Sequence, residues 1–230
     1  MTFWERTRAL IQQELELPVP SQFHLGHFLG GAVLFLFLIE IVTGILLMVY
    51  YQPTVTEAHQ SIQYIMSTAQ LGWLVRGLHS WGANLLILVA LLHLLRVGLY
   101  GAYRERELNW AIGVILLLLV LAFGFTGMLL LWDQQAFWTT DAARLALERI
   151  PLIGKLFLDF LWGGVELGEG ALLRFYVFHV GLLPWVTTLL IAVHLYLVAR
   201  QGLFVPASRE QDKPVKPVEG VSDHAEENVR

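Results

Sequence analysis

The chain has 230 residues, of which 56% are hydrophobic and 15% are charged, whereas about 25% of the residues of a soluble domain carry charge. With a mean hydropathy of +0.60, this composition excludes an ordinary water-soluble protein. The net charge of -4 gives no basic surface for nucleic acid. Because the chain has no cysteine, disulfides, thiolate metal sites and thioether attachment of a cofactor are excluded within it.

Four apolar runs follow a polar, mixed-charge segment, residues 1–27, which we interpret as an interfacial amphipathic helix and linker. Each run is long enough to cross a hydrocarbon layer of ~30 Å as a helix. We call them spans A to D: Phe28–Tyr50, Leu78–Leu95, Trp110–Leu131 and Phe175–Ala199. The Pro-rich, charged tail over residues 204–230 is predicted to be disordered. The sequence therefore predicts an all-α integral membrane protein with a four-helix transmembrane domain over residues 28–203.

The loops predict the orientation. An even number of spans places both termini and the B–C loop on one side, which carries ten of the 15 basic residues. The other five lie on the opposite side: Arg76, Arg144, Arg149, Lys155 and Arg174. The positive-inside rule then places both termini in the cytoplasm or its equivalent. The C–D connection contains two amphipathic segments separated by Pro151 and Gly154, so we expect two short surface helices there.

Two spans each carry a pair of histidines, His79 and His93 in span B and His179 and His194 in span D. At about 100° per residue, separations of 14 and 15 positions keep each pair broadly on one face, roughly 21 to 22 Å apart along the axis. The pairs therefore define two levels, one near each membrane surface, where an imidazole from one helix meets an imidazole from the other. Each level calls for a metal with two axial positions to fill.

The other two spans carry paired glycines, Gly30 and Gly44 in span A and Gly113 and Gly127 in span C, again 14 apart. Glycine destabilises a helix by about 0.5–1 kcal/mol relative to alanine, and in membranes it occurs where something approaches the backbone closely. Two levels of missing side chains make room for two flat macrocycles. Haem b fits this pattern better than a bare ion, which would need three or four protein ligands at each level.

Three arginines lie near the histidines and are candidate partners for haem propionates: Arg76, Arg96 and Arg174. An arginine at the end of a span can instead simply reach the interface. A single intramembrane histidine often serves only as an interhelical hydrogen-bonding group, but two matched pairs with matched glycines argue against that interpretation here.

The remaining ionisable residues have weaker signals. His24 and His27 lie at the entry to span A, where an interfacial position is the default. His59, in what reads as a polar loop, and His224, in the tail, are expected to be solvated. Glu40, deep in span A, has either a proton or quinone role or, the interpretation we favour, a hydrogen bond in its protonated form to a neighbouring helix.

Longer motifs surround these residues, among them IVTGILLMVYYQPTVTEAHQSIQYIM, GWLVRGLHSW, LLHLLRVGLYG, RELNWAIGV, FGFTGMLLLWDQ, IPLIG and LLRFYVFHVGLLPW. Over almost all of residues 20–203 the chain resembles the N-terminal dihaem part of cytochrome b. It is most similar to the split form, cytochrome b6, of Rieske–cytochrome b complexes of the bf and bc type. The histidine interval of 15 in span D matches the split form, since the interval is shorter in the single-chain form.

The resemblance implies that His79 and His179 ligate a haem near the outer, positive side, and that His93 and His194 ligate one near the inner side. It also implies a subunit, inactive alone, of a quinol oxidoreductase in a respiratory or photosynthetic chain of a bacterial inner membrane or thylakoid. Quinol would be oxidised at an outer site, with one electron passing to a Rieske iron–sulfur protein. The other electron would cross through the haems to an inner quinone site, with proton translocation.

The same resemblance gives candidate quinone-site residues and partners. The outer wall is expected over Phe125 to Trp138. Candidate quinone-site residues are Phe125, Gly127 and Asp133 outside and Phe28, His27 and Arg200 inside. The family's PEWY-type loop does not occur in this sequence. We therefore expect a separate subunit with the C-terminal helices, a Rieske protein, and a c-type cytochrome or equivalent acceptor, in a homodimeric complex.

One position departs from cytochrome b6. Where that form has a cysteine that attaches an extra haem covalently, this chain has Phe28. We therefore expect two non-covalent haem b groups, no covalent c-type haem, and an inner quinone that approaches its haem directly.

Two other functions stay open at this stage. A dihaem membrane anchor of a quinone-linked dehydrogenase or hydrogenase would share the histidines but not the motif strings. A haem-free membrane scaffold would use the histidines as polar glue and gives no reason for the paired glycines.

Overall fold

The computed structural model describes Trp4, Glu5, Arg8 and residues 28–163 and 167–201. All regular secondary structure within these ranges is helical. Most of residues 1–27 and the whole of residues 204–230 lie outside the described residues. The interfacial helix and the disordered tail therefore stay predictions.

Four long helices confirm the predicted spans. They are α1 (Leu29–Met48), α3 (Gly72–Leu99), α4 (Glu107–Leu129), and a fourth made of α7 (Glu169–Val177), a π-helical turn (Phe178–Leu182) and α8 (Leu183–Gln201). Each is long and apolar enough to cross a membrane. The helix of span B continues beyond the apolar run at both ends, because hydropathy marks only the part suited to lipid. It is bounded by Leu71 and Gly101, whose φ angles are 58° and 70°.

Shorter helices form the connections. The predicted pair in the C–D connection is present as α5 (Gln134–Glu148) and α6 (Ile153–Phe157), the latter running into a π turn, Leu158–Trp162. A 3-10 turn, Ala102–Glu105, lies between α3 and α4. The interpretation of the segment around His59 as a loop is wrong, because α2 (Ala58–Ser67) occupies it. Its buried residues Ala58, Ser61 and Ile65 follow the spacing of one helical face.

An apolar layer crosses the middle of the bundle. It is built by Leu36 and Phe37 of α1, Leu86 of α3 and Val120 of α4, all at most 9% exposed. In sequence these residues fall midway between the paired glycines and between the paired histidines of their helices. The two ends of the bundle interior are therefore separated by close-packed hydrocarbon. A second cluster, Leu129, Trp162, Ala171 and Phe175, ties the C–D connection to α4 and α7.

Asp133 begins α5 as its N-cap, with its Oδ1 accepting a hydrogen bond of 2.8 Å from the Ala136 backbone N–H. An N-cap side chain satisfies a backbone donor that has no partner within its helix. We predict that Asp133→Ala lowers the free energy of unfolding by about 1 kcal/mol, whereas Asp133→Asn, which retains an acceptor oxygen, changes it little. Thermal denaturation of the purified protein, followed by circular dichroism, measures both variants. Equal destabilisation by the two substitutions would contradict the capping role.

Candidate functional site

His79 and His179 meet at one end of the bundle interior, as the sequence predicts. We call this end the outer level, after the predicted orientation, and the end with His93 and His194 the inner level. The centroids of the His79 and His179 rings are 6.2 Å apart, with 80° between the ring planes. Two imidazoles on opposite sides of one metal, each with a bond of about 2 Å, have centroids about 6.3 Å apart. The outer pair is therefore spaced for axial ligation of one metal.

Two threonines orient the outer histidines. The Thr43 and Thr126 hydroxyls each donate a hydrogen bond of 2.7 Å to a carbonyl one turn earlier, that of Ile39 or Ala122. Each hydroxyl oxygen also lies 3.0 Å from the Nδ1 of its histidine, His79 or His179 respectively. Since the hydroxyl hydrogen is already engaged, the hydroxyl oxygen accepts from an Nδ1–H group. This fixes the imidazole tautomer and leaves the Nε2 lone pair for a metal.

The four predicted glycines are the places where the histidines approach a neighbouring helix. An added Cβ at Gly44 would lie 3.3 Å from His79 Cε1, and one at Gly127 would lie 2.7 Å from His179 Cε1. At the inner level, a Cβ at Gly30 would lie 3.2 Å from His93 Cε1, and one at Gly113 would lie 3.5 Å from His194 Cε1. Each predicted glycine therefore faces one predicted histidine.

A π turn in the fourth span explains why its two histidines are 15 residues apart whereas those of α3 are 14 apart. His179 lies within the turn Phe178–Leu182, where the Leu183 N–H reaches the Phe178 carbonyl. A π turn holds one residue more than the α-helix needs for the same hydrogen-bonded turn. The interval of 15 in the fourth span therefore matches the interval of 14 in α3, and both pairs stay level.

A cavity of about 390 Å³ surrounds the outer level. Arg76 lines it, as its prediction requires, and donates to the Met66 sulfur at 3.5 Å. Tyr51 and Tyr176 also line it, with their rings stacked at 5.7 Å. Burial, reinforced by Tyr176, raises the pKa of Tyr51 well above its usual value. Its hydroxyl therefore stays protonated, and it donates to the Leu130 carbonyl at 2.8 Å.

A second cavity, of about 250 Å³, surrounds the inner level and is lined by His93, His194 and both inner glycines. The Nδ1 atoms of these histidines are buried, and no side chain among the described residues forms a hydrogen bond to them. Arg96 and Arg106 line the cavity as well. Arg106 also donates to the Gln201 carbonyl at 3.1 Å, at the end of α8. The inner level thus combines two imidazoles, apolar walls and two cations.

The donor set fits a porphyrin-bound metal. Among the described residues, no group of three or more histidine, cysteine, aspartate or glutamate side chains is placed to hold a bare metal ion. Each level offers two imidazoles, which is the number that haem iron takes from a protein when both axial positions are filled. Arginines at the cavity walls add positive charge for a carboxylated macrocycle.

Other predicted outer residues have different surroundings. The Arg174 guanidinium donates to the Gly170 carbonyl at 3.1 Å and lies where a Cβ on Gly163 would be, and it is not among the described residues that line the outer cavity. Phe125 packs in the cluster with Trp162 and Phe175. Asp133 is engaged as the N-cap of α5. Their roles at a haem or quinone site stay predictions.

At the inner end, Phe28 is the N-cap of α1, 60% exposed, and the cavity lining in α1 begins at Gly30. Arg200 lies over the Tyr196 ring at 6.0 Å in the last turn of α8. His24, His27 and His224 lie outside the described residues. His59 is exposed on α2, with Nδ1 3.4 Å from the Leu131 carbonyl oxygen.

Sequence reasoning missed the two threonines and Arg106. A signal for the threonines was present, because Thr-Gly occurs at 43–44 and again at 126–127, in each case at the glycine of the outer level. The sequence favours a hydrogen bond of Glu40, in its protonated form, to a neighbouring helix. The structure places its Oε2 2.9 Å from His79 Nδ1 on α3.

Two histidine pairs across a four-helix apolar bundle define a membrane-spanning protein of the cytochrome type, and three comparisons identify the family. A family profile described as Cytochrome b/b6/petB matches residues 14–202. Cytochrome b6 of Mastigocladus laminosus is 40% identical over 200 residues, which cover 86% of this chain and 93% of that protein. Cytochrome b6 of Gloeobacter violaceus is 40% identical over 207 residues, covering 89% and 96%.

A solved chain of a hyperthermophilic respiratory complex III has the same fold, with a TM-score of 0.80 at 28% identity. The match covers 93% of this chain and 58% of that one. The chain therefore belongs to the cytochrome b family and is a haem-binding, membrane-spanning electron-transfer protein.

We predict that Gly127→Ala lowers the haem content of the purified protein, because the new methyl group would displace His179, whose Cε1 lies 2.7 Å from the Cβ position. Overpacking of this kind typically costs about 1–3 kcal/mol. Gly181→Ala is the matched control, since it adds the same group two residues from His179 with nothing within 4 Å. A pyridine haemochrome assay per mass of protein measures both. Equal haem content in the two variants would contradict the assigned close approach.

Proposed function

We propose that the chain is the transmembrane electron-transfer subunit of a quinol-oxidising Rieske–cytochrome b complex, and that it holds two non-covalent haem b groups. The spacing of 6.2 Å between the outer histidine rings carries the proposal, together with the family match over residues 14–202. Family membership favours this function over an anchor of a dehydrogenase or hydrogenase and over a haem-free scaffold. When bound, the haems supply reversible one-electron transfer.

Different residues of the chain serve the outer level and the inner level. His79 and His179 hold the outer haem, and His93 and His194 hold the inner one. Arg76 outside, and Arg96 with Arg106 inside, compensate propionate charge. The apolar layer around Leu86 keeps water from the space between the levels. An electron entering at the outer level therefore has a low-dielectric path to the inner level.

Quinol would be oxidised beside the outer level, with Phe125, Gly127 and the start of α5 on one wall, and quinone would be reduced at the inner end. Proton release outside and uptake inside follow from that division. A Rieske protein, a subunit with the remaining cytochrome b helices and a c-type cytochrome or equivalent acceptor would complete a homodimeric complex. The solved complex III chain extends beyond the matched region, which supports a separate subunit that carries the remaining part.

Single histidine substitutions test the ligand assignment. His93→Ala is expected to remove the inner haem while largely sparing the outer one, because the two levels share helices but not ligands, and His79→Ala should do the reverse. Unaltered complex should contain two haems per chain, both extractable by acid acetone because no thioether holds them. Electron paramagnetic resonance of the purified complex separates the two low-spin signals. Two full signals in either variant would contradict the assignment.

The orientation is tested independently. Both termini are proposed to lie on the cytoplasmic, negative side of an energy-transducing membrane, which places His79 and His179 near the outer surface. A protease-sensitive tag on the C-terminal tail should be protected in sealed right-side-out vesicles and cleaved after detergent treatment. Cleavage in the sealed vesicles would reverse the electrical direction of the proposed function.

A further inference from the structure

Glu40 is a carboxylate placed against a predicted haem ligand. Its Oε2 lies 2.9 Å from His79 Nδ1, and its side chain is 12% exposed. Gly82 on α3 provides the space, because a Cβ there would contact Glu40 Oε1. An acid within a span is costly and is retained where it has a specific partner. Here the carboxylate is held at the ring nitrogen that faces away from the metal position.

The other outer ligand has no such neighbour at the matching position. In α4, Thr126 and Gly127 repeat the Thr43–Gly44 pair of α1. Three residues before the threonine, α1 has Glu40 and α4 has Phe123. The Phe123 ring meets the edge of the His179 ring, with centroids 5.5 Å apart.

The inner level differs again. Among the described residues that line the inner cavity around His93 and His194, none carries a carboxylate. Of the four predicted ligands, His79 is thus the one that the described structure pairs with a carboxylate. The carboxylate therefore distinguishes the outer level from the inner level, and it also distinguishes His79 from the other outer ligand, His179.

The chemical consequence follows from the hydrogen bond. With Nε2 committed to a metal, Nδ1 carries the proton and shares it between the Thr43 hydroxyl at 3.0 Å and the Glu40 carboxylate at 2.9 Å. A hydrogen bond to an ionised acceptor is stronger than one to a neutral acceptor. It makes the imidazole a more basic ligand. A more basic ligand and a nearby negative charge both favour the oxidised, more positive iron.

We propose that Glu40 is ionised in the assembled protein and is a positioning residue that acts through His79 to lower the reduction potential of the outer haem. The proposal rests on the proposed function, since it takes His79 as a haem ligand.

Glu40→Gln tests the proposal, because glutamine keeps the shape and an acceptor oxygen but removes the charge. The purified complex is titrated in a spectroelectrochemical cell, and the two haems are resolved by their absorption bands. We expect the reduced-to-oxidised ratio of the outer haem at a fixed potential to rise about tenfold, which is about 59 mV for a one-electron couple. The reduction potential of the inner haem should not change. An unchanged reduction potential of the outer haem, or an equal shift in the potentials of both haems, would overturn the proposal.

A second variant keeps the test decisive if Glu40→Gln loses the outer haem. Gly82→Ala leaves the acid in place but pushes its carboxylate away from His79, so the outer potential should again rise. Gly77→Ala is the matched control on the same helix, since an added Cβ there has nothing within 4 Å. An equal outer potential in the two variants would overturn the proposal. If the unaltered complex contained no haem, the proposed function itself would be contradicted. That result is distinct from an unchanged outer haem potential, which would contradict only the role of Glu40.

Discussion

The close approach of a histidine ring to a glycine backbone occurs four times in this bundle and governs how its helices pack. A Cβ at Gly127 would lie 2.7 Å from His179 and one at Gly30 would lie 3.2 Å from His93, so the neighbouring helix must present bare backbone at those points. Because the bare backbone allows close approach, α1 packs along α3, and α4 packs along α8. Close-packed side chains fill the bundle between the levels, and the space at each level is left for a flat group.

The polar atoms of the interior are few, and their partners determine what each ring can do. At the outer level two hydroxyls that have already donated to carbonyls accept from the imidazoles, so the tautomer is fixed by local helix chemistry. At the inner level the matching nitrogens lack such partners among the described residues. Two sites with the same ligands can thus have different electronic properties, because hydrogen bonds to the ligands also tune a haem.

The spans, the paired histidines and the paired glycines could be read from the sequence, because hydropathy and a period of 3.6 residues are local properties. The helix α2 was missed because its polar composition conceals a short buried face of Ala58, Ser61 and Ile65. The contacts of Thr43 and Glu40 with His79 depend on which helices pack together, and spacing alone does not specify that. Nor does spacing specify that the Arg174 guanidinium lies against Gly163, which precedes the helix of Arg174 in the chain.

The π turn at Phe178–Leu182 has a consequence for how such chains change in length. The turn holds one residue that the axial rise of the helix does not require. Loss of that residue would relax the turn into ordinary α-helix, with His179 and His194 still at their levels. Membrane thickness therefore fixes the distance between the two ligands but not the number of residues that separates them. A deletion of one residue at this point can therefore be absorbed without moving either histidine.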